Sequence, residues 1–245
     1  MNLRAIIAAT VILLAAGAAE GAPLITNGSF ETGTLSGWTE LDQTGSVGSW
    51  FVSSSTSSPF TGLATPGPHS GIHYALTDQT APGAHVLLQS FTIPVGATTT
   101  TLSLVLFSGN RAGAPSCPGV LDYTISPNQC DRIDILSAAA SAFDTAGGVV
   151  ENLYKDAPVG TPGWVSMSFD LSGLAAGTYQ LRFGEVDNQN FNQMGIDDVS
   201  ILSNSTAVPV PEPSTLALLG AGLASIGLLR RRRRAARGSS FIEAH

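Results

Sequence analysis

Residues 101–106 read Thr-Leu-Ser-Leu-Val-Leu, and this alternation places a leucine at every second position. Residues 179–183, Tyr-Gln-Leu-Arg-Phe, alternate in the same way. A period of two is the pattern of a β-strand with one buried face. We therefore predict that both segments are strands of a β-rich domain.

Other short segments show the same preference and are bounded by Gly, Pro, Ser or Asn. The nine predicted strands lie near Ser49–Ser53, His73–Leu76, Val86–Ile93, Thr101–Ser108, Arg132–Ser137, Val149–Lys155, Val165–Asp170, Gly177–Glu185 and Gly195–Leu202. Many short strands separated by turns are typical of a sandwich or jelly roll. The fold class predicted for residues 23–203 is an all-β jelly-roll β-sandwich.

The charge is unevenly distributed along the chain. Residues 23–208 hold four basic and fifteen acidic residues, a net charge of −11, whereas most arginines lie near the two ends. An acidic domain repels nucleic acid, because phosphate binding needs a basic face. We therefore expect no nucleic-acid partner, and an attraction for cations such as calcium.

The chain has two cysteines, Cys117 and Cys130. Two cysteines are too few for a closed zinc site, which usually has four ligands. An exported chain enters an oxidising compartment, and there we expect the pair to form a disulfide rather than two free thiols.

The N-terminus, residues 1–22, is predicted to be a secretory signal peptide. Arg4 is followed by an apolar run from Ala5 to Ala16, and Gly17-Ala18-Ala19 satisfies the small-x-small rule of signal peptidase. The rival interpretation, a retained anchor, is disfavoured by the short apolar run and the cleavage-like residues directly behind it.

The C-terminus has three consecutive parts. A proline-rich stretch covers residues 208–213, an uncharged apolar run covers residues 215–229, and five arginines cover residues 230–234. As a helix the run would span about 22 Å, at about 1.5 Å per residue, against about 30 Å for a hydrocarbon core. Arginine side chains that snorkel to the interface would extend the span of this helix. The arginine cluster would stay in the cytoplasm, so the preceding domain would lie outside the inner membrane.

Together these three parts resemble a PEP-CTERM sorting domain, found in Gram-negative bacteria that make exopolysaccharide. The resemblance implies recognition by an exosortase and cleavage near Pro211-Glu212-Pro213, after transient anchoring in the inner membrane. The hydrophobic tail would then be removed, as in a GPI signal. The residues that carry the resemblance are Val208, Pro209, Pro211, Glu212, Pro213, Ser214, Arg230, Arg231, Arg232, Arg233 and Arg234.

The predicted organisation follows from these signals. Residues 204–213 are a linker with the PEP motif, and residues 214–237 are the transmembrane sorting helix with its arginine cluster. Residues 238–245 are expected to be a disordered tail, which is a departure because such tails usually end at the basic cluster.

The body resembles galactose-binding-like jelly rolls and related carbohydrate-binding modules. Its opening, Asn27-Gly28-Ser29-Phe30-Glu31 followed by Gly37-Trp38, is similar to their first motif, and Gly195 to Ile201 is similar to their last strand. Residues 87–94 and 101–107 resemble two of the intervening strands.

This resemblance implies a structural calcium ion where the first and last strands meet. Calcium takes six to eight oxygen ligands, including carboxylates and backbone carbonyls. Carried over to this chain, Glu31 and Asp198 would be side-chain ligands, with backbone oxygens of residues 27–29. Asp197 replaces Asp198 if the strand register differs by one residue.

Three further features of the sequence are candidate binding sites. The polar segment 185–193 is able to bind sugar hydroxyls, with Phe191 stacking, although a solvated loop is the preferred interpretation. Aromatic rings suit pyranose faces, yet Trp38 is expected in the core, which is also the safer expectation for Trp50 and Trp164. His69 and His73 would share a helix face, but Gly71 between them argues against a helix.

The functional hypothesis is an exported cell-surface or extracellular-matrix protein with a non-catalytic sandwich that binds carbohydrate or builds exopolysaccharide matrix. No nucleophile motif is present: the chain has no GxSxG elbow. The alternatives are a secreted hydrolase acting on glycans or esters, and a protein–protein adhesion module.

Overall fold

The computed structural model describes Gly21, residues 23–160 and residues 163–205. The chain divides into two units, Met1–Thr206 and Ala207–His245, and every described residue belongs to the first. The described elements are all strands: β1 (Thr39–Asp42), β2 (Ser49–Ser53), β3 (Tyr74–Asp78), β4 (Gly83–Ile93), β5 (Ala97–Ser108), β6 (Gln129–Ser137), β7 (Val149–Asp156), β8 (Val165–Asp170), β9 (Gly177–Asp187) and β10 (Met194–Ser205).

The strands form two five-stranded antiparallel sheets. The first sheet has the order β1-β4-β9-β6-β7, and the second has the order β2-β3-β10-β5-β8. Strands that are distant in sequence therefore lie side by side, as in a jelly roll. The predicted all-β, two-sheet sandwich is confirmed.

The hydrophobic core lies between the two sheets. The cross-strand partners Leu87, Phe183 and Ile133 share one face of the first sheet, because paired residues of neighbouring strands point the same way. The leucines of residues 102–106 belong to the same buried cluster. The alternation in residues 101–106 thus arises because one face of this strand packs on the core and the other face points away from it.

The other face of the first sheet is covered by the chain's own segments 112–128 and 138–148. Leu121 packs so closely on Gly184 that a Cβ there would lie 2.6 Å from its Cδ1 atom. The predicted disulfide is present and ties Cys117 to Cys130 of β6, with a Cα–Cα distance of 4.8 Å. This face is therefore closed.

A buried ion-pair network lies on the same covered face. Asp134 accepts hydrogen bonds from Arg132 Nη2 at 2.7 Å and from Arg182 Nη2 at 2.5 Å. Both arginines hold the pKa of Asp134 below its usual value against the opposing effect of burial. The two guanidinium groups thus share one carboxylate, and Arg182 Nη1 also donates to the carbonyls of Ala142 and Asp144, which ties the covering segment 138–148 to the sheet.

The two ends of the sandwich meet. The N–H of Leu24 donates to the carbonyl of Ile201 at 2.8 Å, and Pro23 bridges to Leu202. The buried cluster extends from Ile25 to Ile201. Because the core is complete within this unit, we expect residues 23–205 to fold on their own.

Candidate functional site

Three segments meet where the first and last motifs of the sandwich lie together: residues 27–31, 69–73 and 195–199. The N–H of Val199 donates to the carbonyl of Gly28 at 3.0 Å. A Cβ at position 28 would lie 1.8 Å from the Val199 carbonyl oxygen, so only glycine permits this contact. We call Glu31, residues 69–73, Asp197 and Asp198 the loop clasp.

In the loop clasp, Glu31 binds the backbone of the 69–73 segment. Its Oε1 atom accepts hydrogen bonds from the N–H groups of Ile72 and His73, both at 2.8 Å. These two donors hold the pKa of Glu31 below its usual value. Gly71 leaves room for the carboxylate, since a Cβ there would lie 2.4 Å from Oε1.

Asp197 and Asp198 bind the beginning of the same segment. Asp197 Oδ2 accepts from the N–H groups of His69 at 3.0 Å and Ser70 at 3.2 Å. Asp198 Oδ1 accepts from Ser70 Oγ at 2.5 Å, and its Oδ2 lies 2.7 Å from His69 Nδ1. Burial raises the pKa of Asp197 despite these bonds.

A β-bulge explains how two consecutive aspartates reach one loop. Neighbouring strand residues normally point to opposite faces, but the pairing of β10 with β5 shifts register between Asp197 and Ser200. The described non-glycine residues with positive φ are Asn27 at 50°, Phe30 at 56° and Asp198 at 52°. All three lie in the segments 27–31 and 195–199 that meet at the loop clasp, where the backbone is strained.

The donor chemistry of the loop clasp fits calcium, because its side chains offer carboxylate oxygens. The negative charge of Asp198 opposes ionisation of Glu31, so the two predicted ligands lie within reach of each other's charge. Their described oxygens bind N–H and O–H groups of the 69–73 segment. Within the described part of the chain, no group of three or more His, Cys, Asp or Glu side chains is placed to hold a metal ion.

A second acidic site lies between the sheets. One ionisable residue from each strand of the first sheet forms a continuous row, in the order Asp42, His85, Glu185, Asp131 and Asp156. The row is exposed at both edges and fully buried at its three central residues. It replaces the apolar core at this end of the sandwich.

Glu185, Asp131 and the nearby Asp187 share two amide side chains. Gln79 Nε2 donates to Glu185 Oε1 at 2.9 Å and to Asp187 Oδ2 at 3.3 Å. Asn192 Nδ2 donates to Asp131 Oδ1 at 2.7 Å. We call these five residues the buried acidic cluster.

Burial dominates the titration of the buried acidic cluster. It raises the pKa of Asp131 to about 7 and that of Asp187 to about 6. The pKa of Glu185 is raised well above its usual value by burial and by the charges of the two aspartates. Perturbed carboxyl groups next to a cleft mark a candidate functional site.

A cleft of about 200 Å³ opens beside Asp187. Its walls are residues 80–82 on one side and residues 187–191 on the other. Phe191 is half-buried there, while Thr80 is exposed. The predicted polar segment 185–193 therefore forms one wall of a cleft and also supplies three members of the buried acidic cluster.

The amide side chains of this wall bind the protein itself. Asn188 Nδ2 donates to the Tyr123 carbonyl at 2.6 Å, and Asn190 Nδ2 donates to the Arg111 carbonyl at 2.9 Å. Gln189 likewise bonds to the backbone of residues 114–116. These amides therefore position the wall of the cleft, which also includes Phe191 and the 5% exposed Asp187.

The three tryptophans belong to packed regions. Trp38 and Trp50 are 8% and 2% exposed and lie in the core between the sheets. Trp164 is half-buried, packs edge-on against Tyr74 and Phe107, and donates its Nε1–H to the Gly67 carbonyl at 3.0 Å. The core expectation is therefore correct for Trp38 and Trp50.

The predicted signal peptide, linker, sorting helix, arginine cluster and disordered tail lie almost wholly outside the described residues. In the part of the chain that the structure describes, no helix is long and apolar enough to cross a membrane.

Solved structures similar to the sandwich are distant in sequence. A carbohydrate-binding module, TmCBM61, in complex with β-1,4-galactotriose is 12% identical, with a TM-score of 0.49 over 75% of this chain and 99% of that one. An adhesin domain of Lys-gingipain from Porphyromonas gingivalis is 17% identical, with a TM-score of 0.49 over 76% and 100%. The CBM22-1 xylan-binding domain from Paenibacillus barcinonensis is 17% identical, with a TM-score of 0.43 over 76% and 97%.

No curated protein matches the chain. Residues 209–234 match the PEP-CTERM protein-sorting motif, which confirms the prediction for this region. Such a motif implies export, sorting to the cell surface and processing by an exosortase. The chain is thus a jelly-roll β-sandwich followed by a PEP-CTERM protein-sorting motif.

Proposed function

We propose that this protein is a non-catalytic component of the cell surface or extracellular matrix, and that its sandwich binds carbohydrate of the exopolysaccharide. Signal peptidase would remove residues 1–22, and the sorting tail would hold the protein in the inner membrane until the exosortase acts. The observation that carries the binding half of the proposal is the cleft between residues 80–82 and 187–191.

The chemistry of the cleft suits a sugar. Phe191 offers an apolar ring for a pyranose face, and the Asp187 carboxylate and Thr80 hydroxyl offer acceptors for sugar hydroxyls. Sites that bind small molecules combine an apolar lining with a few placed polar groups in this way.

The size of the cleft limits the ligand. Its volume of about 200 Å³ is below the roughly 300–1,000 Å³ of sites for drug-sized molecules. The other broad surface, the outer face of the first sheet, is covered by segments 112–128 and 138–148. The protein therefore binds a chain end or a single side-branch sugar rather than a long stretch of polysaccharide.

The proposal includes a structural calcium ion at the loop clasp. Glu31 and Asp198 would hold it with backbone oxygens of residues 27–29, and Asp197 is the alternative ligand. The convergence of three carboxylates on one loop, residues 69–73, supports this assignment. When bound, the ion would add cross-links between the loop and the last strand.

One observation favours a second candidate function, a secreted hydrolase acting on glycans or esters. Asp187 lines the cleft, and burial raises its pKa to about 6, as expected of a general acid. Turnover of a glycan or ester that disappears in Asp187→Asn would support the hydrolase and contradict a non-catalytic role.

A glycan array with residues 23–205, followed by affinity electrophoresis in the producer's own polysaccharide, tests the binding proposal. We expect Phe191→Ala to weaken binding about tenfold, because it removes the stacking ring. Phe60→Ala is the matched control, since it also removes an aromatic ring. Phe60 is 53% exposed and does not line the cleft.

Two outcomes would contradict the proposal. Equal binding by the Phe191→Ala and Phe60→Ala variants would remove the cleft as the binding site. Retention on no glycan, together with a specific protein partner crosslinked on intact cells, would favour the adhesion module.

A further inference from the structure

Three oxygen atoms of the buried acidic cluster have no hydrogen-bond partner among the described residues: Glu185 Oε2, Gln79 Oε1 and Asn192 Oδ1. Their residues are 0%, 1% and 1% exposed. Buried polar atoms are almost always satisfied, so three unpaired acceptors in one cluster require an explanation.

The amide oxygens are unpaired because of how the carboxylates orient the amides. Gln79 directs its NH₂ group to Glu185 and Asp187, and Asn192 directs its NH₂ group to Asp131. Turning either amide would place its carbonyl oxygen against a carboxylate oxygen. Both amide carbonyls are therefore held as acceptors without a donor.

The cluster also lacks a positive partner. The ion pairs of the described residues involve Asp198, Glu31, Asp42 and Asp134. No cationic side chain of the described residues lies within ion-pair distance of Asp131, Glu185 or Asp187. Buried negative charge of this kind is unfavourable unless a cation or a proton compensates it.

We propose that the buried acidic cluster is a calcium-binding site. The Glu185 carboxylate and the amide oxygens of Gln79 and Asn192 are the ligands, and Asp131 and Asp187 supply further negative charge. Calcium accepts carboxylate and amide oxygens in irregular arrangements, whereas magnesium demands a near-ideal octahedron. With one carboxylate ligand, this site is distinct from the three-acid groupings absent from the described residues.

The cleft provides the route for the ion. Asp187 belongs to the cluster and also lines the cleft, so an ion that enters from solvent meets this carboxylate first. The loop clasp is built from other residues, and no hydrogen bond among the described residues joins it to the buried acidic cluster. The proposal rests on neither glycan binding nor calcium at the loop clasp.

Melting of residues 23–205 with EDTA and with CaCl₂ tests the site. We expect calcium at about a hundredfold its Kd to raise the Tm by about 5–10 °C. Glu185→Gln keeps the shape of the side chain but removes its charge. This variant should lose the rise and melt above the unsubstituted protein in EDTA.

Glu31→Gln is the matched control, because it makes the same change in the loop clasp. It should keep the calcium response of the buried site. Calcium titration calorimetry separates the two sites. If both sites bind calcium, the unsubstituted protein binds two ions and each variant binds one. If only the buried site binds calcium, Glu185→Gln binds none.

Absence of any calcium response, or an undiminished response in Glu185→Gln, would overturn the proposal. A rise with NaCl or MgCl₂ and none with CaCl₂ would do the same. If Glu185→Gln does not fold, Gln79→Met replaces it. Methionine has a similar length without the amide oxygen, so at least a tenfold loss of calcium affinity is expected, and unchanged affinity would reject the site.

Discussion

The loop clasp and the buried acidic cluster each gather three carboxyl groups, and the glutamate of each site shows the contrast between them. In the loop clasp, Glu31 accepts two backbone N–H groups, and its pKa is lowered. In the buried acidic cluster, Glu185 accepts one amide side chain, and its pKa is raised well above its usual value.

The difference lies in which backbone donors are free. The N–H groups of residues 69–73 belong to a loop and are available for carboxylates. Asp131, Glu185 and Asp187 lie on strands whose N–H groups are already committed to the sheet ladder. Asp187 accepts one backbone N–H, from Asn192 at 3.1 Å, and the other donors hydrogen-bonded to these three carboxyl groups are side chains. A carboxylate on a loop is thus stabilised locally, whereas one on an inner sheet face depends on protons or added cations.

The largest effect is expected from breaking the contact between Gly28 and Val199, which holds the 27–31 segment beside the loop clasp. Gly28→Ala places a Cβ 1.8 Å from a backbone oxygen of Val199, and we expect a loss of about 3–5 kcal/mol in the free energy of unfolding. Gly113→Ala is the control, since no atom lies within 4 Å of its new Cβ. Urea unfolding measures both, and equal stability would show that the 27–31 segment moves freely away.

The pH dependence tests the buried acidic cluster in EDTA. The folded-state pKa values of Asp131, about 7, and Asp187, about 6, lie above about 3.9 for an unfolded chain. The folded state therefore binds more protons in this window, and stability falls as pH rises through it. We expect a loss of about 4 kcal/mol between about pH 5 and about pH 8.

Asp131→Asn should flatten this pH profile, because it removes the group with the higher of the two pKa values. The measurement is thermal or urea unfolding across the pH series. A profile that rises with pH in the unsubstituted protein would contradict the prediction and would show that the cluster stays ionised at no energetic cost.

The smallest effect is expected at Asp197. Asp197→Asn weakens two hydrogen bonds from His69 and Ser70, and we expect a loss of about 1–2 kcal/mol. Faster hydrogen exchange should be confined to these two amides and to that of Asp198, which donates to Asp197 Oδ1 at 2.8 Å. Glu151→Gln, an exposed carboxylate on β7, is the control and should change stability by less than about 0.5 kcal/mol. Uniform exchange changes would argue against a local role.

The strands were predictable because their apolar residues alternate. The segments 101–106 and 179–183 alternate and lie in β5 and β9. The strand that sequence reasoning missed is β1, Thr39–Asp42, whose four residues are all exposed at a sheet edge. It buries no apolar face, so it has no alternation to detect.

The loop clasp was half predictable. Glu31, Asp197 and Asp198 were identified by resemblance, but the 69–73 segment was not, because its contribution is mainly backbone N–H groups that any residue carries. The sequence also carries a pattern that predicts the position of the buried acidic cluster. Glu185 and Asp187 continue the alternation of Leu181 and Phe183, which places them on the core face of β9.

The first and last residues of the sandwich lie next to each other, which affects how such a domain can be joined to other polypeptides. Leu24 and Ile201 are hydrogen-bonded neighbours, so the chain enters and leaves the domain at one point. A unit of this kind can be spliced into a surface loop of another polypeptide, or strung in tandem, without its interior being rebuilt. Such a domain is able to be transferred between proteins as one unit, with or without the sorting motif that follows it in this chain.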